Sequence, residues 1–291
     1  MAKRRLLYKS SRRLGPAESG ALLDITPRAA GWKYIRFSVR RVARGDTLTG
    51  RTDGEETCLV LLQGSCRVSW DGGRSVRIGP RPTVFEAYPH ALYVPHGHRY
   101  ELVADQTSEV AVARAPSKRK DLQPRVVQPE DCGFEIRGGG NATRQIVDIL
   151  PPPFPADRLM ICEVFTPSGN WSSYPPHKHD KDNLPNEADL EETYYYRMSD
   201  PRGYGVQRLY TADGRTDETL KVEHGDLVLV REGYHPFVSA FGFDSYYLNV
   251  LAGERRSMAA SDDPRYAPLR RSWPPPDPRM PVVAKPTPVT A

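Results

Sequence analysis

Apolar residues in this chain gather in short runs and do not follow the i, i+3, i+4 spacing of an amphipathic helix. The stretches 34–39, 57–62, 66–70, 159–165, 193–196 and 226–230 are rich in Val, Ile, Leu, Tyr and Phe. Gly, Pro, Asp or Asn bounds most of them, and the chain holds 28 prolines and 23 glycines. Such short β-branched and aromatic runs between turn formers predict strands, and many of them predict an all-β sandwich or barrel. Asp71-Gly72-Gly73, directly after Ser69-Trp70, predicts a hairpin turn, because Asp and Gly tolerate the positive φ such turns need.

The pattern occurs twice in the same order. In the first half Glu55-Glu56-Thr57 opens a strand, and a Gly-rich turn and a second strand follow. Ala91-Leu92-Tyr93-Val94-Pro95-His96-Gly97-His98 then leads to a strand ending at Val110-Ala111-Val112-Ala113. In the second half Glu191-Glu192-Thr193 opens a strand. The run 226–230 then leads through Glu232-Gly233-Tyr234-His235 to Tyr246-Tyr247-Leu248-Asn249-Val250. A duplicated β-unit accounts for this order. The expected division is an amino-terminal domain over 1–115, a charged, proline-bounded linker over 116–130, a carboxy-terminal domain over 131–281 and a flexible tail over 282–291.

At 291 residues there is room for two modest cores. The formal charge of +5 comes from 41 Lys and Arg against 36 Asp and Glu, and part of the excess sits in the first thirteen residues and in Lys118-Arg119-Lys120. No basic stripe interleaved with aromatics follows from that, so a nucleic-acid partner is not expected, whereas a small anionic substrate suits the excess. No run of eighteen apolar residues predicts a membrane helix. The basic amino terminus lacks the apolar core of a signal peptide, so the expected location is the cytoplasm. Cys58, Cys66, Cys132 and Cys162 have no C-x-x-C spacing and read as buried free thiols of a reducing compartment.

The candidate chemistry lies in Pro175-Pro176-His177-Lys178-His179. On a strand His177 and His179 share a face and Lys178 takes the other. The same alternation puts Glu192, Tyr194 and Tyr196 on one face and Glu191 and Tyr195 on the other. His235 follows a turn after a further strand, so three imidazoles and a carboxylate would converge inside a small barrel. That donor set suits one divalent ion per chain, Zn, Mn, Fe or Ni, with one or two coordination positions open. No organic cofactor site is expected. The first half has no H-x-H ahead of Glu56, and aligning Gly97 with Gly233 puts Arg99 where His235 falls. His90, His96, His98 and His224 read as loop or packing residues.

H-x-H, then Glu, then a distant His after a Gly is similar to the cupin metal pattern, and the duplicated unit resembles a bicupin. Ser172-Ser173-Tyr174-Pro175-Pro176-His177-Lys178-His179-Asp180, followed by Leu190-Glu191-Glu192-Thr193-Tyr194-Tyr195-Tyr196-Arg197, resembles the 5-deoxy-glucuronate isomerase family of myo-inositol catabolism. That family is related to the 5-keto-4-deoxyuronate isomerases. The eleven residues between His179 and Glu191, the run Gly203 to Tyr210, Gly233-Tyr234-His235-Pro236 and Asp277-Pro278-Arg279-Met280-Pro281 extend the likeness.

The resemblance implies two tandem jelly-roll-like barrels, of which only the second holds a metal. It implies metal-dependent aldose–ketose isomerisation of 5-deoxy-D-glucuronate to 5-dehydro-2-deoxy-D-gluconate. By it His177, His179, Glu192 and His235 match the ligand positions, with Glu192 favoured over Glu191 because it shares a face with Tyr194. Tyr174, Tyr194 and Tyr196 are candidates to handle protons. Arg197, Arg208 and Arg231 are candidates for the substrate carboxylate, which is costly to leave desolvated and unpaired. The alternatives are a non-catalytic sugar-acid-binding cupin, metal-free or with a structural metal, and a cupin dioxygenase that would use the same ligands with iron; pairing through exposed sheets would make a homo-oligomer.

Overall fold

The computed structural model describes residues 5–11, 15 and 17–286, and over them the chain is nearly all-β. The chain divides into two compact units, each taking segments from both halves of the sequence. The amino-terminal unit comprises 10–132, 149–160 and the residues from Val283 onward; the carboxy-terminal unit comprises the segment ending at Lys9, 133–148 and 161–282.

The amino-terminal unit is built on an eight-stranded antiparallel sheet. Its middle runs Gly20–Ile25, Arg36–Val42, Arg99–Pro116, Glu55–Trp70, His90–Val94, Arg125–Val127, with Thr47–Arg51 paired to Arg99–Pro116 and Val76–Arg81 to Glu55–Trp70. Alternate residues Leu59, Leu61, Leu92, Val94, Val110 and Val112 enter one core with Cys66, Val68, Ile78 and Leu102. Burying each aliphatic side chain of this kind contributes roughly 1.5–3 kcal/mol.

Two sequence expectations change here. The runs 57–62 and 66–70 are one 16-residue strand, Glu55–Trp70, which continues through Gln63-Gly64-Ser65. Its register against Arg99–Pro116 shifts between Leu61 and Cys66, and Gly64 takes φ +106 there. A Cβ on Gly64 would lie 2.1 Å from Ser108 Oγ and 2.7 Å from Ser108 Cα. Gly64→Ala is therefore expected to cost about 2 kcal/mol or more, read as a lower urea midpoint, from clash and positive φ together. The second change is Arg125–Val127, expected as linker, which pairs with His90–Val94 and buries Val127. The Asp71-Gly72 turn forms as expected: φ is +50 and +73, and the Gly73 N–H donates to the Trp70 carbonyl at 2.9 Å.

In the carboxy-terminal unit the Glu187–Met198 strand lies between Leu227–Val230 and Ser245–Gly253. The sheet continues through Met160–Thr166 and Arg144–Leu150 to Gly133–Arg137 on one side. On the other side Leu7–Tyr8 pairs with Leu227–Val228, so this start of the chain belongs with the later unit. A four-stranded sheet, Trp171–Ser172, Phe237–Ser239, Tyr204–Tyr210 and Asp217–Glu223, contributes Phe237, Leu209 and Val222 to the same core as Tyr194, Tyr196 and Tyr247. Two antiparallel sheets thus share one apolar interior. None of the four cysteines is in a disulfide and all are buried, and no helix among the described residues is long and apolar enough to cross a membrane. The tail expected over 282–291 lies outside the described residues from 287 onward, while Val283 is buried.

Candidate metal centre

Pro175-Pro176 leads into His177–Lys178, which pairs antiparallel with Ser261–Asp262, and the Asp263 N–H donates to the Pro176 carbonyl at 2.8 Å. The proline at 176 fixes φ, so the chain enters this short pairing extended. His179 follows it, and its carbonyl accepts from the Leu190 N–H at 2.9 Å, which places it beside the Glu187–Met198 strand. His235 comes from the loop after Leu227–Val230, where Gly233 takes φ +78 and a Cβ would lie 2.4 Å from the Tyr210 carbonyl oxygen. Only glycine fits that turn, which aims His235 inward.

Three side chains converge. His179 Nε2 lies 2.7 Å and His235 Nε2 3.2 Å from the same oxygen of Glu192, Oε2. The nitrogen and oxygen donors of this trio all lie within 4.8 Å of one another, and all three residues are buried. The His177 ring centroid is 4.7 Å from that of His235 and 6.4 Å from that of His179. Each imidazole is also held from behind by a backbone carbonyl: His179 Nδ1 by Leu190 at 3.2 Å, His235 Nδ1 by Gly233 at 3.1 Å, and His177 by Pro175. A ring nitrogen that donates to a carbonyl leaves the other nitrogen's lone pair for a cation, the usual outer arrangement of metal-binding histidines.

The electrostatics agree with that geometry. Burial, then the neighbouring His235, His179 and Arg144, pushes the His177 pKa well down. Burial also lowers His235, although Glu192 opposes it. For His179 burial acts downward, but the Glu192 charge and hydrogen bond outweigh it and the net direction is up. Burial would raise Glu192; the two histidines and hydrogen bonds from His179 and Asn249 bring it below its ordinary value instead. The trio therefore favours a carboxylate facing cationic charge. His235 Nε2 is buried with no hydrogen-bond partner. An orphaned imidazole nitrogen aimed at a shared carboxylate oxygen fits a divalent ion, which the group could hold.

Surrounding residues brace the cluster. Lys178, expected to face away, bonds Asp180 at 2.5 Å and Glu187 at 2.6 Å, and the other Asp180 oxygen accepts from the Gly233 N–H at 2.7 Å. That chain ties the segment carrying His177 and His179 to the loop carrying His235. The Tyr194 ring lies 5.8 Å from His235, and its hydroxyl is 3.0 Å from Ser173 Oγ. The Tyr247 hydroxyl donates to Ser172 at 3.1 Å, and the two tyrosine rings are 4.5 Å apart. Ser173 sits at φ +50, a left-handed conformation that costs a non-glycine residue energy and here turns its hydroxyl inward.

The remaining candidates lie elsewhere. The Tyr196 hydroxyl donates to Gln207 at 2.8 Å, and its ring packs on Phe237 at 5.0 Å, so it is a core residue. Tyr174 packs against Trp171 and Tyr266. Arg197 lies on the opposite strand face from Glu192, over the Tyr195 ring and beside His224. Arg208 pairs with Asp217 at 2.7 Å over the Tyr210 ring. Arg231 contacts the Arg5 carbonyl at 3.5 Å and lines a groove of about 480 Å³ with Lys178, Asp180 and Gly233. The residues that sequence reading missed are Arg144, Ser173, Tyr247 and Asn249. Of these Asn249 carried a signal, as an amide inside the otherwise apolar and aromatic run 246–251, and it stands opposite Tyr194 in register.

The amino-terminal unit holds no such trio among the described residues. Glu56 is buried there, but its oxygens accept from the N–H groups of Asp157 at 2.8 Å, Arg158 at 2.6 Å and Leu159 at 2.7 Å, and from the Tyr93 hydroxyl at 2.6 Å. His96 Nδ1 accepts from the Gly54 N–H at 2.9 Å, and His98 pairs with Asp71 at 2.6 Å.

Residues 7–269 match the KduI/IolB family. The sequence is 48% identical over 250 residues to the 5-deoxy-glucuronate isomerase of Geobacillus kaustophilus, covering 86% of this chain and 90% of that protein. It is 39% identical over 245 residues to the 5-deoxy-glucuronate isomerase of Bacillus subtilis (strain 168), covering 84% and 90%. The crystal structure of an IolB-like protein from Salmonella typhimurium superposes with a TM-score of 0.86 at 38% identity, over 91% of this chain and 99% of that one. Oxalate decarboxylase of Bacillus subtilis gives a TM-score of 0.63 at 14% identity, over 90% and 80%, which is a likeness of fold.

Proposed function

The chain belongs to the KduI/IolB family, and we propose that it isomerises 5-deoxy-D-glucuronate to 5-dehydro-2-deoxy-D-gluconate, a step of myo-inositol catabolism, at the His179–Glu192–His235 centre. The observation that carries the metal-dependent part is the meeting of two imidazole Nε2 atoms on one oxygen of buried Glu192. His177, His179, Glu192 and His235 would hold one divalent ion, of the class Zn, Mn, Fe or Ni. An ion held there would supply Lewis acidity toward the aldose carbonyl and the negative charge that develops as hydrogen moves between C1 and C2. We read each unit as a cupin barrel, with the metal confined to the carboxy-terminal one.

The chain's own residues do the rest. Burial pushes the Tyr194 phenol well above its ordinary pKa and the Tyr247 phenol up to about 12. With Ser172 and Ser173, to which they are hydrogen-bonded, they would offer O–H groups to substrate oxygens. The apolar core beneath them keeps water from the sugar's reacting end.

Metal-loaded protein incubated anaerobically with 5-deoxy-D-glucuronate is expected to convert the C1 aldehyde to the ketone of 5-dehydro-2-deoxy-D-gluconate, read as loss of the C1 aldehyde resonance in the NMR spectrum. Binding of the acid without interconversion would leave a sugar-acid-binding protein, and a product that forms only with dioxygen would make it an oxygenase. Either result ends the isomerase reading.

A further inference from the structure

The substrate carries a carboxylate at the end opposite its aldehyde, and Arg197, Arg208 and Arg231 turn to His224, Asp217 and the Arg5 carbonyl. A different arginine does enter the interior. Strand alternation puts Arg144 and Ile146 on one face of Arg144–Leu150, and Ile146 belongs to the core that contains Tyr194 and Tyr247. Arg144 is 3% exposed. Its Nη1 donates to the carbonyls of Ala142 at 3.2 Å and Tyr174 at 3.0 Å. The second bond clamps it to the segment that delivers His177, three residues further on.

Among the described residues the guanidinium bonds neutral carbonyls and no carboxylate. Burial pulls its pKa down to about 10. A buried cation hydrogen-bonded only to neutral carbonyls is costly, and the cost falls when an anion arrives to pair with it. Arginine has five N–H donors, and those of Nε and Nη2 are arranged to take a carboxylate in two parallel bonds.

We propose that Arg144 receives the substrate's carboxylate and so sets the substrate's direction, acid end on Arg144 and carbonyl end toward the histidines. This rests on the sugar-acid reading above. It also gives the site a basis for preferring a uronate to a neutral sugar: the neutral compound would leave the arginine's cost unrelieved.

The test compares, by calorimetry on metal-loaded protein, binding of 5-deoxy-D-glucuronate and its neutral C6 amide to the wild type, Arg144→Gln and Arg144→Lys. The wild type is expected to prefer the acid by on the order of 10- to 100-fold, the worth of charge-assisted hydrogen bonds. Arg144→Gln should bring that ratio close to one with metal content unchanged, and Arg144→Lys should fall between. A merely structural arginine would weaken both compounds equally and leave the ratio alone, which overturns the proposal. If Arg144→Gln fails to fold, Arg144→Lys decides, since an unchanged ratio there overturns it too. A wild type that prefers the acid but never interconverts it ends the isomerase reading and supports this one. A wild type that isomerises without preferring the acid does the reverse.

Discussion

His235→Ala is expected to abolish metal binding and to lower turnover by about 10³-fold or more, since the Lewis acid supplies several kcal/mol and each 1.36 kcal/mol is tenfold. His235 Nε2 lies buried and unpartnered, 3.2 Å from Glu192. Deleting the ring removes one of three donors that meet within 4.8 Å and, with it, a single hydrogen bond, from Nδ1 to the Gly233 carbonyl. The loss is therefore one of metal affinity more than of fold. Metal-free His235→Ala should melt within a few degrees of the metal-free wild type. Added metal should raise the wild-type melting temperature and leave the variant's unmoved, because only a ligand that binds the folded state stabilises it. His177→Ala is expected to behave in the same way. His96→Ala and His98→Ala should keep both metal and turnover, because those rings serve the Gly54 N–H and Asp71. Equal loss of metal in either of them would refute a single site.

The centre was legible in the sequence to the extent that local rules reach. Strand alternation placed Glu192 with Tyr194 and against Glu191, and the structure has Glu192 buried beside His179 and His235. The same alternation already put Arg197 on the far face, so its place over Tyr195 was available from parity alone. Arg144 was not available. It opens its strand after Gly138-Gly139-Gly140, and nothing near it in the chain distinguishes a buried arginine from an exposed one. Its position becomes meaningful only when Ile146 is known to face Tyr194 and Tyr247. The fold was misread where a glycine had two interpretations: Gly64 takes a positive φ inside a continuous strand, where the same signal also marks a turn. Leu7–Tyr8 could not be assigned from pattern either, since two residues carry no period and their partner stands more than two hundred positions away.

Glu56→Ala is expected to destabilise the protein by about 3–5 kcal/mol, since it strips acceptors from several buried donors at about 1–3 kcal/mol each, partly relaxed. Oε1 accepts from Arg158 and Leu159, and Oε2 from Asp157 and Tyr93, so both oxygens are already engaged. Glu56→Gln should be nearly as damaging, because its NH₂ group would face donors on whichever side it took. Both are read as a fall in the urea midpoint, and an unchanged midpoint would show the amides finding other partners. Metal content should hold in every variant that folds, as should the acid preference at the other centre. Glu56 and Glu192 each open the repeated strand pattern, and each is buried. What separates them is the company: Glu192 meets two imidazoles whose Nε2 atoms can give lone pairs to a cation, while Glu56 meets only N–H and O–H donors. A carboxylate whose lone pairs all go to hydrogen-bond donors has none left for a metal. The amino-terminal unit thus uses its glutamate to hold the 157–159 backbone in place, and for that role the H-x-H that it lacks is not needed.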